Sequence, residues 1–159
     1  MKKAVLNGVM LIFGLSIILT SCSSDDDGGN IIPNNNVVIQ QVVTQAQSGT
    51  WRITSFIDSG QDETNNFTGY NFTFGTNGAL SASNGNNSES GNWSVTDSNS
   101  NDDSNDDIDF NIMFNVPDTN DFEDLNDDWD IVSHTDNRIQ LRDISGGNGG
   151  TDTLTFERN

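Results

Sequence analysis

The chain holds one cysteine, one histidine and, against 24 acidic residues, only six lysines and arginines in 159 residues, a formal charge of −18. Each scarcity excludes something. With a single thiol, Cys22, no disulfide within the chain and no cysteine-based metal site can form, so stability has to come from a hydrophobic core. The sole histidine, His134, stands beside a predicted turn, with no nucleophile motif or second metal ligand nearby in sequence. General acid–base work needs a positioned partner and a cleft, so the expectation is a protein that is not an enzyme and carries no cofactor. So few cations make phosphate backbones and anionic headgroups poor partners, which excludes nucleic acid and favours a soluble monomer.

What is present begins with a leader. Lys2 and Lys3 precede an apolar run from Val5 to Leu19, at roughly 15 residues too short to span a bilayer. Leu19-Thr20-Ser21-Cys22 closes it as a lipobox would, so residues 1–21 read as a lipoprotein signal peptide. Cys22 then becomes the lipidated first residue, with a diacylglyceryl group and a further palmitate-type acyl chain. Each buried methylene adds about 0.8 kcal/mol of anchoring. A free cysteine after an ordinary cleaved signal is the alternative. Loss of the leader removes both lysines, leaving four arginines and a formal charge of about −20.

Residues 22–46 follow as an acidic tether. Ser23-Ser24-Asp25-Asp26-Asp27-Gly28-Gly29-Asn30 is small, acidic and has nothing to bury. The run resembles the export signal of surface-displayed lipoproteins in some Gram-negative envelopes; a plain solvated spacer reads equally well. The expected location is the bacterial outer membrane, lipid-anchored on its periplasmic or cell-surface side. Apolar residues at 38, 39, 42, 43 and 46 have helical spacing and predict a short helix that caps the domain.

From Trp51 the period changes to two, the signature of half-buried strands. Eight strands are predicted within a domain of residues 47–159. The first puts Trp51, Ile53 and Ile57 on its inner face, and the second Tyr70, Phe72 and Phe74. Thr76-Asn77-Gly78 turns the chain. Leu80 and Ala82 mark the third strand; Trp93 and Val95 mark the fourth, after a loop over residues 84–90. Ile108, Phe110, Ile112, Phe114 and Val116 alternate along the fifth until Pro117 stops it. Phe122-Glu123-Asp124-Leu125 reads as one helical turn. Residues 129–133, 138–144 and 153–158 supply the last three strands. An even number of short strands without a crossover helix predicts an all-β, eight-stranded antiparallel up-and-down barrel, because closure removes exposed edges. A two-sheet β-sandwich is the alternative.

Gly49-Thr50-Trp51 before the first strand and Thr135-Asp136-Asn137 between the sixth and seventh resemble the Gly-x-Trp and Thr-Asp-Tyr motifs of lipocalins. Gly91-Asn92-Trp93 offers a second Gly-x-Trp. Residues 49–159 are similar to the lipocalin-like, calycin-type barrel domains of bacterial lipoproteins. The resemblance implies that Arg158 stacks over Trp51, a contact of about 0.5–2 kcal/mol. It also implies binding of a small hydrophobic or amphipathic molecule. The lining would then be Trp51, Tyr70, Phe72, Phe74, Trp93, Phe110, Phe114, Trp129 and Phe156, residues that aromatic patterning alone reads as core. The alternative is a structural or interaction protein with a solid barrel, acting through acidic loops. There Asp97, Asn99 and Asn101, and again Asp103, Asn105, Asp107 and Asp109, are spaced by two like calcium ligands. The glycine and final glutamate of a calcium loop are missing, and a solvated acidic loop is the plainer expectation.

Overall fold

The computed structural model describes residues 35–97, 108–144 and 150–159. Cys22, Asn99, Asn101, Asp103, Asn105 and Asp107 lie outside the described residues. A twelve-residue helix, α1 (Asn35–Ala46), precedes nine strands: β1 (Trp51–Asp58), β2 (Gln61–Asp62), β3 (Asn71–Phe74), β4 (Ala79–Ser83), β5 (Ser88–Asp97), β6 (Ile108–Phe114), β7 (Asp127–His134), β8 (Arg138–Asp143) and β9 (Asp152–Arg158). All neighbours pair antiparallel, and β9 returns to pair with β1 from Trp51↔Arg158 to Ile57↔Thr153. The two-residue β2 adds only to the far end of β1. The other eight strands form the closed up-and-down barrel that alternation predicts, and the sandwich alternative falls away because no strand switches sheets.

Alternation dictates the inner face nearly everywhere. Phe72 and Phe74, Leu80 and Ala82, Ile139 and Leu141 are buried while their neighbours face water. The exception is instructive. Between Ile53 and Ser55 the pairing of β1 with β9 shifts register, and such a bulge turns the following side chains to the opposite face. Phe56 is therefore fully buried, and Ile57, expected inside from strict alternation, is only half-buried. A second shift between Ile131 and Ser133 leaves Val132 exposed.

Strand limits move for local reasons. Strand β6 stops at Phe114, two residues before Val116. The Asn126 side chain takes over there, accepting from the Phe114 N–H at 2.5 Å and donating to its carbonyl at 3.1 Å. Tyr70 lies just before β3, half-buried, and Ser88–Ser90, expected in a loop, already belong to β5.

The helix forms where its spacing predicts and lies across the end of the barrel at which β1 begins and β5, β7 and β9 finish. Val42 and Ala46 are fully buried there, with Val38, Ile39 and Val43 packed beside them. The opposite end is closed differently. A one-turn 3-10 helix at Thr64–Phe67 and another at Glu123–Leu125 lower Phe67, Phe122 and Leu125 into the core.

Candidate functional site

Gly49-Thr50-Trp51, Thr135-Asp136-Asn137 and Arg158 meet at the helix-capped end. Arg158 sits over Trp51, its guanidinium carbon 5.9 Å from the indole centroid, and its Nη2 donates to the carbonyl and hydroxyl of Ser48. The Trp51 indole donates to the Ala46 carbonyl at 2.8 Å, so the ring ties the helix C-terminus to β1. Gly49 has a φ of +141°, and a Cβ there would press on Arg158 Nε at 3.3 Å; the glycine is required by both its backbone and its neighbour. In the turn 135–137, the Thr135 hydroxyl accepts from Arg138 N at 3.0 Å, and the Asn137 carbonyl accepts from Arg158 N at 3.0 Å. The motif builds a structural joint.

His134 belongs to that joint. Gln45 Nε2 donates to Asp136 at 3.1 Å, which turns Gln45 Oε1 toward His134 Nδ1 at 2.7 Å. An amide oxygen can only accept, so the Nδ1 nitrogen carries the proton. The imidazole latches the helix to the β7–β8 turn.

The aromatic residues proposed to line a pocket are brought together, and they touch one another. Trp51, Phe72, Phe110 and Phe156 are fully buried, Trp129, Phe74 and Phe114 show 1–2% of their surface, and Trp93 shows 6%. Phe74 meets Phe110 and Trp93 at 5.2 Å and Phe156 at 5.5 Å, mostly edge to face. Rings bordering a void large enough for water would present surface to it. Those at 0–2% do not, so the barrel's middle holds side chains rather than a space for ligand. Tyr70 is half-buried at the rim away from the helix, packed against the edge of the core. Sequence reasoning missed Phe56, Phe67 and Phe122 in this core, because a bulge hides the first and the other two come from polar loops.

The acidic-loop candidates are divided. Asp97 is exposed and accepts from Asn35 Nδ2 at 3.3 Å, while Asp109 is buried in β6. Among the described residues no group of three or more histidine, cysteine or acidic side chains could hold a metal ion.

Depressions occur on the outside. A groove of about 590 Å³ runs along the outer wall of β5–β7, bordered by Asn77, Asn92, Asn111, Asp127 and Asp128. The Asp127 carboxyl is pushed up to about 7, first by its burial, then by a hydrogen bond with the Asp128 side chain and by the charges of Asp143 and Asp128. The Asp128 N–H, 2.8 Å from Asp127 Oδ1, opposes this. A second depression, about 780 Å³, follows the outer face of α1 past Val37 and Thr44. A cleft of about 540 Å³ opens at the end away from the helix, between the segments carrying Tyr70, Asn87, Glu89 and Asn120. Acidic groups crowd beside it: partial burial, then the charges of Asp124, Asp58 and Asp121, raise the Glu63 pKa, and Asp124 is raised by burial, then by Asp58, Glu123 and Asp121.

No family model matches the chain, and no curated protein does. Among solved structures it is similar to a DUF4847 family protein from Bacteroides vulgatus ATCC 8482, at 19% identity, covering 72% of this chain and 94% of that one, with a TM-score of 0.46. The barrel is defined by its own strand pairing. That closed ring has the architecture the lipocalin resemblance implies, while no lipocalin family model matches.

Proposed function

We propose that this protein is a lipid-anchored, non-catalytic recognition module of the bacterial outer membrane, whose barrel is a solid scaffold and whose outer surface does the binding. The observation that carries this reading is the filled interior: the rings at 0–2% exposure occupy the space a carrier would give to its ligand. Both ends are stopped as well, by α1 at one and by Phe67, Phe122 and Leu125 at the other. Admitting an apolar molecule would mean parting edge-to-face pairs that contribute about 0.5–1.5 kcal/mol each beyond their buried area. Anchoring through Cys22 rests on the lipobox and its charged, apolar leader.

Two measurements test the two halves. For the scaffold, calorimetric titration with myristate should give no saturable heat; one-to-one binding would restore the carrier reading, in which Trp51 to Phe156 part around a ligand. For the anchor, wild-type protein expressed with its leader should enter the detergent phase on cloud-point separation, and Cys22→Ala should stay in the aqueous phase. Partition of the variant with detergent would end the lipidation claim.

A further inference from the structure

We infer that the cleft at the end away from the helix is a binding site for a neutral oligosaccharide, an inference that rests on the surface-acting reading above. Its lining comes from three separate stretches, around Asn66 and Tyr70, around Asn86 to Glu89, and from Thr119 to Phe122. None of these residues is a lysine, arginine or histidine, so phosphates, sulfates and uronates meet carboxylates rather than cations. The walls are amides, hydroxyls and two carboxylates, Glu89 and Asp121, which gives an apolar ligand no surface to cover. What remains is a ligand rich in hydroxyl groups and without charge. Side-chain amides both donate and accept, and a carboxylate accepts from two neighbouring hydroxyls at once, as vicinal diols require.

Three details sharpen the assignment. The cleft is braced before any ligand arrives: Asn120 Nδ2 donates to Glu89 Oε1 at 3.2 Å, joining two walls, and Asn120 Oδ1 accepts from Phe122 N at 3.0 Å. The tip 84–87 is fixed too, because Asn84 Oδ1 accepts from the N–H groups of Asn86 and Asn87 at 3.1 and 2.8 Å. Such bracing lowers the ordering cost of binding. Among the described residues, the side-chain groups of Asn66, Asn86, Asn87, Thr119 and the Tyr70 hydroxyl make no hydrogen bond within the protein. They face water, which sugar hydroxyls replace without loss of hydrogen bonding. Finally, Tyr70 is half-buried, steadied edge-on by Phe122 at 5.0 Å. The ring is packed away, and its hydroxyl at the wet tip is left to exchange hydrogen bonds with a sugar. The volume lies within the range of small-ligand sites, about 300–1,000 Å³.

The experiment is a side-chain amide and indole NMR titration of the isotope-labelled chain with maltohexaose, xylohexaose, mannohexaose and laminarihexaose, each to about 10 mM, above the millimolar Kd suited to an open cleft. The expected result is that at least one sugar shifts the Asn66, Asn86 and Asn87 amides saturably and leaves the Trp51, Trp93 and Trp129 indoles unmoved. Tyr70→Ala and Asn87→Ala should each weaken that binding at least about ten-fold, the equivalent of 1.4 kcal/mol. Asn92→Ala on the outer wall should leave it unchanged. If Tyr70→Ala proves poorly folded, Asn87→Ala alone decides. The inference is overturned if no sugar moves these amides, if calcium chloride alone moves them equally, or if Asn87→Ala binds as before. Movement of the indoles by myristate would instead overturn the solid-scaffold reading and leave the sugar result standing on its own.

Discussion

At one end of the barrel a helix lies across the mouth, with Val42 and Ala46 buried in the core and its C-terminal end tied down by hydrogen bonds; at the other, rings from two polar loops are driven into the interior. The first closure uses Trp51 with Ala46, Gln45 with His134 and Asp136, and Arg158 with Ser48. The second uses Phe122, which meets Phe114 at 4.9 Å, Phe67 at 5.2 Å and Phe72 at 6.0 Å. The difference teaches where each end can give way. The helix contributes aliphatic side chains, with only Val42 and Ala46 fully buried, and its hydrogen bonds add about 0.5–1.5 kcal/mol net apiece, so it should open at lower cost than the aromatic end. Buried aromatics couple to the whole core, and losing them loosens everything.

The comparison can be broken at its strong side first. Phe122→Ala should cost about 3–5 kcal/mol, the range for deleting a buried ring, and appear as a global fall in the urea midpoint. Were the loss below 1 kcal/mol, the end away from the helix would not be a packed closure. Arg158→Ala comes next, with an expected loss of about 1–3 kcal/mol from the cation–π contact and the bonds to Ser48; thermal unfolding measures it. Gln45→Ala should cost about 1 kcal/mol and act locally. Native-state hydrogen exchange should then show α1 amides opening more easily while β3–β9 amides hold their protection, and equal loosening of both would erase the distinction between the ends.

The smallest effect concerns pH. The Asp127 carboxyl titrates near 7 when folded, against the ordinary carboxylate value when unfolded. Between those values the folded state binds more protons, so the contribution of this group is present at low pH and is lost as pH rises through about 7. Asp127→Asn mimics the protonated form. Its melting temperature should exceed wild type at pH 8 and match it near pH 4, with solvent exposure keeping the gap to a few degrees. An equal offset at both values would remove titration as the cause.

Most of the barrel was legible because alternation survives wherever strands pair without interruption, as from Phe72 to Leu80 and from Ile139 to Leu141. It was illegible where backbone irregularity intervenes: nothing in Trp51 to Asp58 announces that the bulge exchanges Ile57 for Phe56. The two Gly-x-Trp triplets make the same point. Gly49 is needed for its positive φ beneath Arg158, whereas a Cβ on Gly91 would collide with the Met113 carbonyl where β5 and β6 approach closely. Identical letters answer different demands, and only the first carries the motif's joint. The oligosaccharide cleft left no trace in the sequence, since Asn66, Asn87 and Asn120 are ordinary loop residues until the fold gathers them.

The closing pair of strands has a bearing on how the molecule is made. Arg52 reaches Glu157 and the Arg158 carbonyl across more than a hundred residues of chain, so the ring is completed by partners among the most distant in the sequence. Until residues 152–158 dock, β1 and β8 each present a bare row of peptide groups, ready to zip onto a neighbouring molecule. A clipped or stalled chain lacking that segment should therefore assemble into multimers through strand exchange, and folding of the intact protein should be slow for its size.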